Sequence, residues 1–343
     1  MTQTQTSAPT ATHFDVCAVG NAIVDVLAPC TPDFLDAQGL APGSMSLVDE
    51  AQSAALYDAM AAGVEASGGS AGNTVAGIGS FGGRAAYLGK VADDALGQVF
   101  THDIRAAGVA FDTPALTGGA GTGRCLINVT PDAQRTMSTF LGAANQLTVA
   151  DIDASVIADS AILYLEGYLF DPAPARAAFE AAAEAAHAAG RKVAITLSDS
   201  FVVGRWRIEL LAFIEASADI VLANESELLA LFETDDFDAA AARLAEIVEI
   251  AAVTRSADGS VIIAGDQRVT VKAAPVDTVT DTTGAGDQYA AGFLLGLARG
   301  LSLADAGALG SLAAAEVIAH WGPRPMVSLE SLAKAGGLTL TTP

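Results

Sequence analysis

The second half of the chain alternates between short apolar runs, each as long as a buried strand, and longer segments with helical periodicity. The predicted order is strand 161–166, helix 174–189, strand 192–197, helix 206–216, strand 220–223 and helix 225–232. Alternation of this kind indicates a parallel sheet with right-handed crossovers. Ligand-binding residues gather beyond the carboxyl ends of such strands, where the sequence places Glu166, Asp199 and Asn224.

The first half of the chain combines one buried strand with segments that favour a second, smaller sheet. Residues 14–27 are almost all apolar, which predicts a central strand interrupted at Asn21. Residues 30–48 carry two prolines and two glycines, and predict loop and short strands rather than a helix. Residues 122–130 and 134–140 predict a β-hairpin, which could form a small sheet with residues 30–48. The remaining predicted elements are helices 49–62, 94–107 and 302–320 and strands 85–91 and 268–279.

The most informative stretch for chemistry is 281–287 (DTTGAGD), between strand 268–279 and an apolar helical pattern. The first amide N–H groups of a helix have no partner inside it, and the macrodipole there is positive. The small residues 284–286 would let an anion approach these amides, and Asp287 could accept a proton from a hydroxyl. This combination suggests phosphoryl transfer to an alcohol. An acidic N-cap with glycine punctuation explains the same residues equally well.

Composition limits the partners and the compartment. The 343 residues include 17 basic and 40 acidic side chains, and the net charge of −23 argues against nucleic acid or an anionic membrane as partner. Three cysteines without a CxxC spacing predict neither a disulfide scaffold nor a zinc site, and favour a reducing compartment. We find no signal peptide and no run of about 18 apolar residues. We therefore expect a soluble cytoplasmic protein with a disordered tail at residues 1–12.

A second glycine-rich stretch, residues 67–83, contains the spacing GxGxxG at Gly77, Gly79 and Gly82. This spacing is typical of dinucleotide-binding folds when it follows a strand and opens a helix. Here the glycines lie within or at the end of a predicted helix, and the strand 85–91 comes afterwards. We interpret them as small residues that allow close helix packing, and keep a nicotinamide-dependent oxidoreductase as an alternative.

Several motifs resemble the ribokinase-like (PfkB) family of sugar and nucleoside kinases. Residues 279–293 (VTDTTGAGDQYAAGF) are similar to its C-terminal signature, and residues 68–73 (GGSAGN) with 89–97 (GKVADDALG) are similar to its first signature. Residues 20–25 (GNAIVD) resemble its first substrate-contact element, and residues 224–227 (NESE) fit its Asn-x-x-Glu motif. The resemblance spans about residues 14 to 330.

The resemblance implies a fold as well as an activity. The expected fold is a ribokinase-like three-layer α/β/α arrangement with a central, mostly parallel sheet and a small β-sheet lid. It implies a single kinase domain over residues 13–330, with lid segments at about 28–48 and 110–142. In the family the lid closes over the substrate and excludes water, which would otherwise compete with the acceptor hydroxyl. A monomer or a homodimer formed through the lid is expected.

The resemblance also assigns roles to individual residues. Asp287 would be the catalytic base, and the amides of Gly284, Ala285 and Gly286 would hold the migrating phosphoryl group. The implied substrate contacts are Asn21, Asp25, Gly68, Gly69 and Asn73. Leu169 is a further candidate because it follows strand 161–166 and could pack on the flat face of a base or sugar, although ordinary core packing explains it as well. The implied ATP contacts are Asn224, Thr254, Gly259, Asp281 and Thr282. Glu227 would hold Mg²⁺, through water, and a requirement for a monovalent cation such as K⁺ stays open.

Some residues depart from the family pattern or leave two interpretations open. Ser256 stands where the family usually has the first glycine of the nucleotide loop, so the shape of that loop is open. Arg124 and Arg135 on the hairpin could clamp phosphate, although a solvated surface position is the more usual state. Lys90 and Asp93 could form a catalytic pair or a surface ion pair, and we expect the latter.

The acceptor is a separate question. Residues 20–25, residues 43–49 (GSMSLVD) and Gln288 look most similar to adenosine-kinase-like members, so conversion of adenosine to AMP is the first expectation. A ribokinase- or fructokinase-like sugar kinase is the alternative. The residues that could line an apolar slot for adenine are Ile23, Leu47, Met137 and Leu169. A catalytically silent nucleoside- or sugar-binding regulator is a third hypothesis. The intact Asp287 and the small-residue turn at 281–286, which we call the anion-binding turn, disfavour it.

Overall fold

The computed structural model describes residues 12–132 and 134–340; apart from Thr12, the tail predicted to be disordered lies outside this range. The strands are β1 Phe14–Val19, β2 Ile23–Pro29, β3 Met45–Leu47, β4 Val64–Ser67, β5 Ala85–Leu88, β6 Val109–Ala110, β7 Gly123–Val129, β8 Arg135–Phe140, β9 Ser160–Glu166, β10 Lys192–Thr196, β11 Ile220–Asn224, β12 Ile250–Thr254, β13 Ser260–Ala264 and β14 Gln267–Val271. The helices are α1 Pro32–Ala37, α2 Glu50–Ala59, α3 Ser70–Ser80, α4 Ala95–Ala106, α5 Ala154–Ala158, α6 Ala173–Ala188, α7 Ser200–Ser217, α8 Glu225–Phe232, α9 Phe237–Ala245, α10 Ala285–Ala298, α11 Leu303–Ile318 and α12 Leu329–Ala335.

The larger sheet has nine strands in the order β14-β13-β12-β11-β10-β9-β1-β5-β6. Its strands are parallel except at one edge, where β13 runs antiparallel to both β12 and β14. Successive side chains of β1 enter different cores: Val16 and Ala18 join the cluster with α3, α10 and α11, and Cys17 and Val19 join the cluster with α6, α7 and α8. Burial on both faces explains the uninterrupted apolar run, and the predicted three-layer α/β/α fold is confirmed.

The smaller sheet has five strands in the order β3-β8-β7-β2-β4. It contains the predicted hairpin, β7 and β8, which pair antiparallel, and β3 from the 30–48 segment. It also takes β2 and β4, which sequence analysis did not place there. The prediction of one interrupted strand over residues 14–27 was wrong, because the chain leaves the main sheet after Val19 and enters the smaller sheet at Ile23. An apolar pattern reports burial but not which sheet a strand joins.

Other boundaries also differ from the predictions. The segment 30–48 contains helix α1, because Pro32 occupies the first turn, where proline is tolerated, and the Thr31 hydroxyl accepts the Phe34 N–H at 3.2 Å. The strand predicted over 268–279 ends at Val271, and helix α12 follows the helix predicted to be the last. Among the described residues, no helix combines the length and apolar character that crossing a membrane requires.

The GxGxxG glycines lie in α3 and the turn that follows it. A Cβ at Gly77 would lie 2.1 Å from Oε1 of Gln288 on α10, and a Cβ at Gly79 would lie 2.2 Å from the carbonyl oxygen of Ala107. These glycines therefore permit close packing of α3, as predicted, and the strand–turn–helix context of a dinucleotide-binding fingerprint is absent from this stretch of the described chain.

Candidate active site

Helix α10 begins behind a glycine in the left-handed conformation. Gly284 has φ +78°, and a Cβ there would lie 2.6 Å from Cα of Pro323, so only glycine fits. Apart from its chain neighbours and its own helix, no atom of the described residues lies within 4 Å of the position that a Cβ on Gly286 would take, so this side of the turn is open. Within the described part of the chain, the N–H groups of Gly286 and Asp287 donate no hydrogen bond. Free amides at an open helix N-terminus suit the anion site that the sequence predicts.

Asp281 holds the turn that precedes this helix. Its carboxylate accepts hydrogen bonds from the N–H (3.1 Å) and hydroxyl (2.8 Å) of Thr283, and it forms a 2.5 Å ion pair with Arg135 of β8. Arg135 is only 9% exposed, so the expected solvated position was wrong for this side chain, which joins the smaller sheet to the anion-binding turn. The Ala285 N–H donates to the Thr282 carbonyl at 3.2 Å and is less free to bind an anion than the next two amides.

Asp287 lies in the first turn of α10 and faces α3. Its carboxylate accepts hydrogen bonds from the Ser70 hydroxyl (2.6 Å) and from Nδ2 of Asn73 (3.0 Å), while the Thr74 hydroxyl donates to its backbone carbonyl at 3.1 Å. Desolvation by burial raises the pKa of Asp287 to about 6, although both side-chain hydrogen bonds act in the opposite direction. A fixed carboxylate with this pKa is ionised at neutral pH and can accept a proton.

Asp25 on β2 is the second carboxylate of the site and is 8% exposed. Burial raises its pKa to about 6; the cation of Arg324 lowers this pKa and the charge of Asp287 raises it. A Cβ on Gly68 would lie 2.4 Å from the Asp25 carboxyl carbon, and a Cβ on Gly69, whose φ is +82°, would lie 2.1 Å from the Asn21 carbonyl oxygen. Gly68 is therefore required for the close approach of the backbone to Asp25, and Gly69 for its approach to Asn21. The contact of this pair with a substrate, which the resemblance implies, stays a prediction.

Asn21 is fixed to the floor of the site rather than free. Its Nδ2 donates to Glu166 at 2.7 Å, and the second oxygen of Glu166 accepts the N–H of Ala71 at 2.8 Å. Burial raises the pKa of Glu166 to about 7. Oδ1 of Asn21 is buried without a partner among the described residues, which leaves it able to accept one hydrogen bond from a bound hydroxyl.

Asn224 and Glu227 form a capping box at the start of α8. Oδ1 of Asn224 accepts the Glu227 N–H at 2.9 Å, while Nδ2 and N–H of Asn224 donate to the two Glu227 carboxylate oxygens at 2.6 and 2.9 Å. Burial raises the pKa of Glu227 to about 7. The described residues hold no cluster of three or more His, Cys, Asp or Glu side chains arranged around a metal position. The predicted contact of Glu227 with Mg²⁺ through water stays a prediction.

The predicted nucleotide loop follows β12, and Thr254 is paired with Asn224 across the sheet. Gly259 has φ +85°, and a Cβ there would lie 2.0 Å from the Val271 carbonyl oxygen. Ser256 has φ +51°, the left-handed conformation that glycine adopts most easily. The serine therefore keeps a glycine-like backbone at some conformational cost.

Some predicted residues lie outside this site. Leu169 is fully buried in the core beneath α6 and α7. The prediction of a substrate contact there was therefore wrong, and the alternative of ordinary core packing holds. Leu47 is 54% exposed on β3. Lys90 pairs with Asp151 rather than with Asp93.

Sequence reasoning missed Arg324. Its Nε donates to Oδ1 of Asn73 at 3.3 Å, and its Nη1 forms a 3.0 Å ion pair with Asp103. The only signal in the sequence is an arginine between two prolines after a long helix, which by itself indicates a loop.

A half-buried carboxylate beside free helix-terminal amides, at the strand ends of an α/β/α fold, is the arrangement expected of a small-molecule kinase. The sequence profile of the pfkB family carbohydrate kinases matches residues 47–329, and the chain belongs to this family.

Relatives of two kinds are similar to the chain. An uncharacterized sugar kinase of Archaeoglobus fulgidus is 31% identical over 254 residues, covering 72% of this chain and 96% of the relative. An adenosine kinase of Saccharomyces cerevisiae is 27% identical over 329 residues, covering 89% and 95%. Among solved structures, an adenosine kinase from Sinorhizobium meliloti is 52% identical with a TM-score of 0.88, covering 94% of this chain and 99% of that one. A probable sugar kinase from Rhizobium etli is 49% identical with a TM-score of 0.89, covering 96% and 100%.

Proposed function

We propose that this kinase transfers the γ-phosphate of ATP to a hydroxyl group of a nucleoside, with adenosine converted to AMP. The observation that carries the proposal is the position of Asp287, which joins an open set of helix-terminal amides to the polar residues of α3. The similarity to adenosine kinases, at 52% identity over 94% of the chain in one solved structure, supports the choice of adenosine.

The chemistry assigned to Asp287 follows from its surroundings. Ser70 and Asn73 hold the carboxylate in one orientation, so it can accept a proton from an acceptor hydroxyl placed between it and Asp25. The free N–H groups of Gly286 and Asp287, with the positive end of the α10 dipole, stabilise the charge that spreads over the phosphoryl oxygens. Because these donors are fixed before the reaction, little reorganisation is needed in the transition state.

The residues present fit ATP and Mg²⁺. The open turn at Gly286 would accommodate a terminal phosphate. Asp281, which accepts the Thr283 N–H, and Thr282, whose carbonyl accepts the Ala285 N–H, hold the backbone of this turn. Glu227 and Asn224 would hold Mg²⁺ through its water shell, because both carboxylate oxygens of Glu227 are already hydrogen-bonded. When bound, the metal neutralises charge on the nucleotide phosphates. A role for K⁺ stays a prediction.

The smaller sheet supplies two groups to the site, Asp25 from β2 and Arg135 from β8. We propose that this sheet acts as the lid, since Arg135 reaches the turn where the phosphoryl group would lie. A monomeric or lid-mediated dimeric state, and a cytoplasmic location, stay predictions.

A kinase screen with the purified protein, ATP and Mg²⁺ tests the proposal. Adenosine, ribose, fructose and their phosphates are offered separately, and ADP formation is measured together with the mass of the product. Adenosine as the best acceptor, with AMP as product, supports the proposal. Preference for ribose or fructose would instead support the sugar-kinase alternative, which the sugar-kinase relatives favour. Ligand-dependent thermal stabilisation without ADP formation would indicate a silent regulator.

A further inference from the structure

We propose that Arg324 is a positioning residue for phosphoryl transfer: it fixes the orientation of Asn73 against the base and connects the base to the glycine pair of the acceptor site. The proposal rests on the proposed function in one respect, namely that Asp287 is the base. Arg324 lies in a segment, residues 322–324, that we call the C-terminal strap.

The C-terminal strap crosses directly behind the anion-binding turn. The Gly322 N–H donates to Oδ2 of Asp281 at 3.1 Å, and Pro323 occupies the space that a side chain on Gly284 would need. The Pro323 carbonyl oxygen accepts Nε2 of Gln288 at 3.0 Å. Contacts to both ends of the turn fix the backbone that carries Arg324, so its side chain starts from a defined position.

Arg324 holds the Asn73 amide from the side opposite Asp287. A guanidinium group can only donate hydrogen bonds, so the 3.3 Å contact from its Nε requires Oδ1 of Asn73 on that side. Nδ2 of Asn73 must then point the other way, where it donates to Oδ2 of Asp287 at 3.0 Å. Gln288 holds the Asn73 backbone as well, because the same Nε2 donates to the Asn73 carbonyl at 3.0 Å. The Asp287 carboxylate, which only accepts, requires Nδ2 on its side, and Arg324, which only donates, requires Oδ1 on the other side. The two contacts therefore hold the same amide orientation from opposite sides, and loss of Arg324 leaves Oδ1 without its partner on the strap.

A second nitrogen of the Arg324 guanidinium group contacts the residues next to the glycine pair. Its Nη1 contacts Oδ2 of Asp103 at 3.0 Å, and the same oxygen accepts the N–H (2.8 Å) and hydroxyl (2.5 Å) of Ser67. Ser67 ends β4 and directly precedes Gly68, whose missing side chain makes room for Asp25. One guanidinium group therefore connects the residues around both carboxylates of the site.

The charge of Arg324 also affects the base. Its side chain is only 19% exposed, and its field lowers the pKa of Asp25 and Asp287 against the effect of burial. The titratable or charged groups that face Asp287 are Asp25 on β2, Tyr164 and Glu166 on β9, Tyr168 just after β9, and Arg324. Arg324 is the one cation in this set of described residues, so its removal should leave the base less acidic.

The variants Arg324→Gln and Arg324→Lys test these two effects separately. The rate constant kcat/KM is measured from pH 5 to 9 with whichever acceptor the wild-type protein phosphorylates. For Arg324→Gln we expect kcat/KM to fall by roughly 10- to 100-fold. The acid limb of the pH profile, where kcat/KM declines as the base becomes protonated, should move to higher pH. This movement should be smaller than the roughly one to three pH units of a direct ion pair, because Asn73 lies between Arg324 and Asp287. For Arg324→Lys, the acid limb should stay at the wild-type pH, because lysine keeps the positive charge. The value of kcat should still fall, because lysine lacks the planar guanidinium group with its fixed N–H donors.

Arg299→Gln is the matched control. Arg299 is also a buried arginine, 7% exposed, and pairs with Asp15 at 3.2 Å at a distance from the candidate site. This variant should lose thermal stability without any movement of the acid limb. An acid limb in Arg324→Gln that coincides with that of the wild type, together with wild-type kcat, would overturn the proposal.

A crystal structure of Arg324→Gln separates this inference from the proposed function. We expect the Asn73 amide to rotate or to lose its contact with Asp287, and retention of the wild-type geometry would contradict the positioning role. If the wild-type protein phosphorylates none of the acceptors offered, the proposed function fails, whereas this structural result still decides the role of Arg324. If Arg324→Gln does not fold, unchanged kcat in Arg324→Lys would contradict the orienting role.

Discussion

The substitution Asp287→Asn should inactivate the enzyme and at the same time stabilise its fold at alkaline pH. Asparagine keeps the shape and one acceptor for Asn73, but it cannot take up a proton at neutral pH. We expect turnover to fall by roughly two or more orders of magnitude, with acceptor affinity little changed.

The gain in stability follows from the raised pKa. Burial raises the pKa of Asp287 from 3.8 to about 6, so the folded state disfavours the carboxylate. The stabilising effect of the protonated form is fully present below pH 3.8 and is lost as the pH rises through about 6. At about 1.36 kcal/mol per pH unit, the ionised group costs at most about 3 kcal/mol at pH 8. Asp287 is partly exposed, so the measured gain should be smaller than this limit.

Urea denaturation followed by circular dichroism measures this effect. The midpoint for Asp287→Asn should exceed that of the wild type at pH 8, and the difference should shrink to roughly half at pH 5, because the unfolded carboxylate is already ionised there while the folded one is protonated. Asp266→Asn, at an exposed position in the turn between β13 and β14, is the control and should leave the midpoint nearly unchanged. A variant that is less stable at pH 8 would contradict the desolvation argument, and wild-type turnover would remove Asp287 from the mechanism.

Three further substitutions test other parts of the site. Gly68→Ala should raise KM for the acceptor by roughly tenfold or more, because its Cβ would lie 2.4 Å from the Asp25 carboxyl carbon and must displace it. Gly284→Ala should lower both turnover and thermal stability, by roughly 1–3 kcal/mol for the latter, since φ is +78° and Pro323 fills the space. Glu227→Gln should shift the dependence of rate on Mg²⁺ concentration to higher values while KM for the acceptor stays unchanged.

Controls and opposing outcomes are available for each of these. Gly204→Ala, at a helical position where no atom of the described chain outside the same helix lies within 4 Å of the new Cβ, should be neutral or stabilising. An unchanged KM for Gly68→Ala would show that Asp25 does not hold the acceptor. Wild-type stability of Gly284→Ala would contradict the strain assigned to the turn, and an unchanged Mg²⁺ requirement in Glu227→Gln would exclude its metal role.

Elements with an uninterrupted apolar run or a clear start signal could be predicted well. Strands β9 to β11 and helix α8 were close to their observed bounds, because several periodic residues support each one. The split between β1 and β2 could not be predicted, since both are buried and only their partners differ. Helix α1 was missed because Pro32 was interpreted as a breaker, although it lies in the first helical turn.

The site could be predicted where a few consecutive residues determine both the backbone conformation and the chemistry. Residues 284–287 combine backbone conformation and chemistry within a few positions, so their role was visible in the sequence. Arg324 is different, because its contact with Asn73 joins residues 251 positions apart. The prediction for Leu169 was wrong for a different reason. A large apolar residue after a strand fits a ligand pocket and a core equally well, and only the packing of α6 and α7 shows that this residue belongs to the core.

The chain passes from the main sheet to the smaller sheet within residues 20–22, between β1 and β2. Asn21, in the middle, is fixed to Glu166 by its side chain, whereas Asp25 belongs to the smaller sheet. A swing of that sheet would therefore turn on a hinge whose pivot is anchored to the floor of the site. Asp25, the carboxylate proposed to bind the acceptor, would move together with the smaller sheet. Binding of the substrate and its isolation from solvent would then occur in the same conformational change.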